Sequence, residues 1–378
     1  MKKTRVIVLF GGRSAEHEVS LLSARNVFLA LDRDRYEPVL VAIDKQGRWR
    51  RASEQTLLGA TGDPRKLGLG ALGQEVTVPV HPGPGGTALA SSPDAAYDGA
   101  NAPFLGPDDV VFPVLHGTYG EDGTVQGLLE LADVAYVGAG HLGSAIGMDK
   151  EVAKRLLAQA GLPVVPWRLV TAAGLRRDLR SALVDAGELG IPCFVKPANA
   201  GSSVGVTKVK RAEDLEAALR AALMYDRKAL VEVAVNAREI ECAVLGNDEP
   251  AASMPGEILV THRDGFYSYD AKYVDADGAS WMIPADLPAE VTERVRQLSV
   301  RTFCALELSG MARVDFFLDR DSAALYVNEV NTIPGFTAIS MYPKMWEASG
   351  LPARLLVTRL VELAQERRRE RRACKTEL

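Results

Sequence analysis

MARVDFFLDRDSAALYVNEVNTIPG, residues 311–335, carries most of what the chain reveals about its architecture. Side chains alternate across a strand, so Arg313 and Asp315 share one face of a first strand, and Glu329 and Asn331 share one face of a second. The connector DRDSAA is short enough for a hairpin. Pairing the two strands gathers Asp315, Glu329 and Asn331: three hard oxygen donors and no histidine. Such a set suits Mg²⁺, which keeps several waters and completes its shell with substrate phosphates. Apolar Val314, Phe316 and Val330 alternate with these residues, which favours a half-buried sheet over a wholly exposed hairpin.

A second element is KPANAGSSVG, residues 196–205, lying between two apolar runs. A glycine-rich turn between strands can present successive backbone N–H groups to phosphate oxygens. By itself it reads equally well as a plain hairpin. The GxxxxGK[ST] pattern is absent, and the lysine precedes the glycines, so this is no P-loop. Lys150 and Lys196 are candidates to neutralise the α and β phosphates, with Ser202 and Ser203 in the loop. Glu232 to Val235, followed by Glu239, is a candidate adenine-facing backbone segment with a carboxylate for ribose hydroxyls.

With 378 residues the chain exceeds one ordinary core, and two or three domains are expected. A net charge of −5 argues against a general nucleic-acid or anionic-membrane binder. Cys193, Cys242, Cys304 and Cys374 lie far apart with no CxxC pair, which points to reduced, mostly packed thiols. The opening MKKTRVIVLFGG mimics a signal peptide, but Val6 to Phe10 is too short an apolar run and reads as a first buried strand. No stretch approaches the about 18 apolar residues of a membrane span. A cytoplasmic protein with small-molecule partners is expected.

The start alternates strand Arg5–Phe10, helix Val19–Leu31 and strand Pro38–Ile43, an α/β opening with a parallel sheet. From about Ala52 to Gly106, Gly and Pro clusters suggest an irregular elaboration, with one strand near Val76–Val80. A strand over Val110–Leu115 ends at His116. A helix over Lys150–Ala160 stops at Gly161 and Pro163. The section 148–240 reads as a small α+β lobe, and the remainder holds a helix near 288–306 and a final helix from Leu351 to about Arg369. The charge run ERRRERR reads as a solvated helix end. Three divisions follow: 1–147, 148–240 and 241–378.

HGTYGEDGTVQG, residues 116–127, resembles the N-terminal signature of D-alanine–D-alanine ligases, and 313–335 resembles their second signature. GGRSAEHEVS at 11–20, GMDK at 147–150, KPANAGSSVG at 196–205 and YDAKY at 269–273 match in the same order. The resemblance covers nearly the whole chain, apart from about 52–106 and the tail after 365. It implies an ATP-grasp fold with an N-terminal Rossmann-like domain, a central lobe and a C-terminal lobe that clamp ATP. It also implies two Mg²⁺ ions, with Mn²⁺ an acceptable substitute, and often a homodimer.

The implied reaction phosphorylates one D-alanine on its carboxylate; the amine of a second D-alanine then displaces phosphate. Glu16 matches the residue that takes the first ammonium, and His116 would lie beside that substrate's carboxylate. Ser202 and Tyr273 match residues linked to that glutamate over the closed site. Arg313 and the Gly335 N–H would stabilise the oxyanion. Ser340 and Met341 match positions holding the second alanine, while Lys272 of YDAKY adds to the ATP set. Tyr273 favours an amine over a hydroxyl nucleophile. Val233-Ala234 departs from the Lys-Trp pair of many relatives, which leaves adenine to backbone contacts. Relatives making D-alanyl-D-lactate or D-alanyl-D-serine, and a non-catalytic nucleotide-binding regulator, are the competing readings.

Overall fold

The computed structural model describes residues 3–59, 68–69, 72–77, 87–88, 90–91, 104–105, 108–260 and 279–375. Three main sheets follow one another along the chain. The first contains β1 (Thr4–Gly11), β2 (Tyr36–Ile43) and β3 (Trp49–Arg51). Two short ladders come next: β4 (Val76–Thr77) pairs with β6 (Ala90–Ser91), and β5 (Thr87–Ala88) pairs with β7 (Phe104–Leu105). With β8 (Val110–Val114) and β9 (Ala135–Tyr136) the first sheet is complete, in the order β3-β2-β1-β8-β9. Its β1–β2, β1–β8 and β8–β9 pairings are parallel.

β1 reads as a continuous apolar run because both of its faces are covered. Val6, Val8 and Phe10 pack with Leu21, Ala24 and Phe28 of the helix His17–Ala30, while Ile7 and Leu9 face Val125 and Leu129. At its end, Gly11 has φ +92°, and a Cβ there would lie 2.3 Å from the Ile43 carbonyl oxygen. Only glycine allows this close approach.

β10 (Trp167–Thr171), β11 (Cys193–Pro197), β12 (Thr207–Val209) and β13 (Lys228–Val233) form an antiparallel sheet ordered β10-β13-β11-β12. Helices Leu179–Gly187 and Leu215–Ala222 bury Ala186, Leu215 and Leu219 in the core of that sheet. β14 (Ala237–Gly246), β15 (Ala251–Ala252), β16 (Gly256–Val260), β17 (Ala279–Met282), β18 (Gly310–Asp319) and β19 (Leu325–Asn331) build the third sheet, ordered β17-β16-β14-β18-β19. Helix Ala289–Ala305 packs on one face through Val295 and Leu298. On the other face, Met311 and Tyr342 join a core that also contains Val6 and Phe10 of the first sheet. The first and third sheets therefore share one hydrophobic core.

The expected elements over 4–43, 110–114, 150–160 and 288–306 form within a residue or two of their anticipated ends. A single 3₁₀ turn, Ala212–Asp214, leads into the α-helix Leu215–Ala222. The 240/241 boundary falls inside β14. Among the cysteines, Cys193 and Cys242 are buried, whereas Cys304 and Cys374 are exposed.

The charge run at the C-terminus of helix Ala353–Ala373 is exposed from Arg369 onward, as a solvated end requires, but Arg367 and Arg368 are tucked against the first sheet. Arg367 donates to the Gly138 carbonyl, to Ser309 Oγ at 2.8 Å and to the Tyr136 carbonyl at 3.0 Å, and stacks 4.3 Å over the Tyr136 ring. Arg368 donates to the Asp133 carbonyl at 2.5 Å, and Arg372 Nε to Asp133 Oδ2 at 3.0 Å. Arginine suits this work because its planar fork reaches several carbonyls at once.

Candidate active site

Residues of the second and third sheets, with others from the helix His17–Ala30 and the loops beside the first sheet, line one cavity of about 550 Å³. Its floor is the hairpin β18–β19, where Arg313 pairs with Asn331 and Asp315 with Glu329. A bulge after Asp315 re-aims the side chains at this point. Arg313 grips Asp315 through two hydrogen bonds, Nε to Oδ1 and Nη2 to Oδ2, each 2.7 Å. Its Nε also lies 3.0 Å from Glu241 Oε2 on the neighbouring strand β14. Burial works against the guanidinium charge, but Asp315 and Glu241 outweigh it and hold the Arg313 pKa well above its usual value. Asn331 Nδ2 donates to Asp315 Oδ2 at 2.9 Å.

Lys150 caps the cavity beside this floor. Its Nζ lies 3.7 Å from Glu329 Oε2 and donates to the Ala200 carbonyl at 2.8 Å. Lys196 reaches Glu232 Oε2 at 2.8 Å and Asn328 Oδ1 at 3.4 Å. Glu232 is itself held from behind by Lys154, whose Nζ is 3.2 Å from Oε1. All three groups are buried. Burial opposes the charge on Glu232, yet the two lysines prevail and its pKa is lowered. Burial lowers the pKa of Lys154, and the adjacent Glu232 carboxylate opposes that shift.

The glycine loop joins β11 to β12, as expected. Ser202 and Ser203 adopt φ of 50° and 58°, in the left-handed region. The base of the loop is fixed by Asn199, whose Nδ2 donates to Asp149 at 3.2 Å and to Asp226 at 3.0 Å. At its tip, the Ser202 hydroxyl donates to Glu16. Glu16 is the N-cap of helix His17–Ala30. A Cβ at Gly117 or Gly201 would lie 2.9 or 2.6 Å from Glu16 Oε2, so a side chain at either position would displace the Glu16 carboxylate.

His116 lines the same cavity and uses both ring nitrogens. Nδ1 is 3.0 Å from the Ile333 carbonyl, and Nε2 is 3.0 Å from Ser23 Oγ. Burial lowers its pKa and keeps the ring neutral. Glu121 accepts the N–H of Gly117 at 2.7 Å and of Ile333 at 3.0 Å. Burial, with the charge of Glu16 added, raises its pKa to about 8. Gly335 sits where a Cβ would meet Ser340 Oγ at 2.7 Å, and that hydroxyl accepts the Thr337 N–H at 2.9 Å. Met341 begins the helix Met341–Ala348 and is buried against the cavity.

The geometry thus gathers Glu16, His116, Lys150, Lys196, Ser202, Ser203, Glu232, Glu239, Arg313, Asp315, Glu329, Asn331, Gly335, Ser340 and Met341 around one space. Val235 is not among the lining residues. Lys272 and Tyr273 lie outside the described residues. Lys154, Glu121, Glu241 and Ser23 belong to the site's framework but carry no motif signal that assigns them a role. Glu241 has the clearest clue, a charge inside the apolar run IECAV, which only a buried partner can justify.

Two family models match in tandem: D-ala D-ala ligase N-terminus over residues 5–139 and D-ala D-ala ligase C-terminus over 156–362. The chain belongs to the D-alanine–D-alanine ligase family. D-alanine–D-alanine ligase A of Chromobacterium violaceum is 51% identical over 369 residues, covering 98% of this chain and 97% of its own. A solved D-alanine–D-alanine ligase from Coxiella burnetii superposes with a TM-score of 0.82 at 37% identity, covering 98% and 97% of the two chains. The VanG D-Ala:D-Ser ligase of Enterococcus faecalis gives 0.80 at 34% identity, covering 96% and 100%. The ATP-grasp architecture expected from the ligase motifs is the one observed. Among the described residues no helix is long and apolar enough to cross a membrane.

Proposed function

We propose that this ligase joins two D-alanines at the expense of ATP, through a D-alanyl phosphate, giving D-alanyl-D-alanine, ADP and phosphate for peptidoglycan precursors. The observation that carries this reading is the single cavity shared by Arg313, the Asp315–Glu329–Asn331 set, the Lys150 and Lys196 cations and the Glu16–Ser202 link. A carboxylate oxygen of the first D-alanine attacks the γ-phosphorus and ADP departs. The second amine then attacks the acyl carbon, loses a proton, and phosphate leaves from the tetrahedral intermediate.

Phosphoryl transfer needs charge neutralisation and alignment rather than covalent help. Lys150 and Lys196 offer two cations to the phosphates, and the glycine loop offers backbone N–H groups. Lys272 would join them, with Glu239 on ribose hydroxyls and the Glu232–Val235 backbone beside adenine. Arg313 and the Gly335 N–H stabilise the oxyanion of the acyl step. Glu16 takes the first ammonium, while Ser340 and Met341 border the second alanine. Closure of the Ser202–Glu16 link, completed by Tyr273, keeps water from the acyl phosphate.

The donor set on β18 and β19 fits Mg²⁺: two carboxylates and one amide oxygen, all hard, on adjacent strands. A half-turn of the Asn331 amide would exchange its donor nitrogen for the carbonyl oxygen. Asp315, Glu329 and Asn331 would hold the ion or a pair of ions, and Mn²⁺ would serve as well. Held there, the ion would supply positive charge to neutralise the phosphates.

The divisions 1–147, 148–240 and 241–378, a homodimeric assembly and a cytoplasmic location complete the proposal. The likeness to a D-Ala:D-Ser ligase keeps D-serine or D-lactate as an alternative second substrate. Tyr273→Phe tests that alternative: a gain of D-alanyl-D-lactate over dipeptide is expected, and an unchanged product ratio removes Tyr273 as the selector. Removing Mg²⁺ with a chelator should abolish phosphate release and adding Mg²⁺ or Mn²⁺ should restore it; turnover that survives chelation would contradict the metal assignment.

A further inference from the structure

Gly335 lies between two residues whose backbones are gripped by side chains of the N-terminal region. Ile333 donates its N–H to Glu121 at 3.0 Å, and its carbonyl lies 3.0 Å from His116 Nδ1. Phe336 donates its N–H to Ser23 Oγ at 3.2 Å and accepts Asn26 Nδ2 at 2.8 Å. Ser23 and Asn26 are three residues apart on the helix His17–Ala30, so they share a face.

Ser23 is the joint between the two grips. A carbonyl can only accept, so the proton on His116 sits on Nδ1 and is given to Ile333. Nε2 is then an acceptor, and the Ser23 hydroxyl donates to it at 3.0 Å. The same oxygen receives the Phe336 N–H. The order of donation runs from Phe336 N–H to Ser23, from Ser23 O–H to His116, and from His116 N–H to Ile333. Every donor along it has an acceptor, and Ser23 is fully buried. A neutral imidazole committed in this way has no free N–H to offer a substrate carboxylate.

We infer that Ser23 is a positioning residue for the acyl-transfer step: through Phe336 and His116 it sets where the Gly335 N–H points. The inference rests on the oxyanion role given to Gly335 above. It also moves His116 from substrate contact to support. A backbone donor must sit within hydrogen-bond distance of the oxygen as charge develops there, so a small shift is felt in turnover more than in binding. Misplacement of a reacting group by about 1 Å can cost up to about 100-fold in rate.

The test uses Ser23→Ala and Ser23→Cys in the full chain. Ser23→Ala removes one oxygen within a helix that favours alanine, and Ser23→Cys keeps a weak donor and acceptor at similar size. Two readouts are needed: steady-state kinetics, and ¹⁵N signals of the His116 ring, assigned by comparison with His116→Gln. The expected result for Ser23→Ala is a fall in kcat of about 10- to 100-fold with the KM for ATP unchanged. The His116 ring should lose its fixed Nδ1–H form, and Ser23→Cys should fall between wild type and Ser23→Ala. Unchanged His116 signals in Ser23→Ala would overturn the relay. Altered signals with unchanged kcat would overturn the positioning role. Failure of the wild-type protein to make dipeptide would count against the proposed reaction instead, while the ring signals would still report on the relay.

Discussion

Arg313→Ala separates the structural role of this arginine from its catalytic one. The substitution removes two contacts of 2.7 Å to Asp315 and one of 3.0 Å to Glu241. Breaking a buried ion pair by deleting one partner costs about 3–5 kcal/mol, because the remaining charge stays buried. Here two carboxylates would remain, 3% and 9% exposed, and they repel each other. The loss should therefore fall toward the upper end of that range. Against a total stability of about 5–15 kcal/mol, the variant would be folded but strained. A drop of about 10 °C or more in melting temperature is expected. Uptake of a proton by either carboxylate would relieve the repulsion, so the deficit should narrow as pH falls.

The catalytic loss is separate. Removing one oxyanion donor typically lowers kcat by about 10²–10³. ATP affinity should hold, since Lys150, Lys196 and the glycine loop are untouched. The assay is phosphate release with product quantified, run well below the variant's melting point, together with nucleotide binding by calorimetry. Undiminished turnover in the folded variant would refute the oxyanion role. An unchanged melting temperature would refute the reasoning from buried charge.

Three further outcomes follow from the geometry. Ser202→Ala cuts the link to Glu16, so water should reach the acyl phosphate and phosphate release should exceed dipeptide formed; strict equality of the two would count against the closure role. Glu121 titrates near pH 8 in the folded chain, above its ordinary range. Its stabilising contribution is complete at low pH and is lost as pH rises through about 8. Wild type should accordingly lose stability relative to Glu121→Gln between about pH 4.5 and 8, and parallel curves would contradict that. Arg367→Ala should destabilise the chain in urea while leaving turnover per folded molecule intact, because the carbonyls of Tyr136 and Gly138 lose a buried donor worth about 1–3 kcal/mol each. No shift in the unfolding midpoint would show that the C-terminal helix does not depend on that grip.

The hairpin of β18 and β19 was legible because its pairing is local. Arg313, Asp315, Glu329 and Asn331 meet through strand alternation and one short connector, with no need for distant information. The first βαβ unit was legible for the same reason, with its apolar runs broken by Gly11-Gly12. Short helices were harder to see. Thr124–Leu131 and His141–Met148 contain glycines, and Met341–Ala348 contains Pro343, so each lacks a strong helical pattern.

The ion pairs of the arginine tail were hidden because their partners are remote. Arg372 meets Asp133, 239 residues earlier, and only the folded chain brings them together. Ser23 is likewise an unremarkable helix residue until Phe336 arrives from 313 residues away. Lys154 looks like a surface lysine one turn beyond Lys150, yet it is 1% exposed because Glu232 stands opposite it. Contacts of this kind depend on pairing between elements distant in the chain, which no spacing rule reveals.

The most direct test of the proposed ligase is phosphate release from Mg-ATP with D-alanine, L-alanine, D-serine or D-lactate offered, the products identified by mass spectrometry. Release that depends on D-alanine, with D-alanyl-D-alanine formed in equal amount, is the result expected. ATP bound but not turned over with any of these substrates would contradict it.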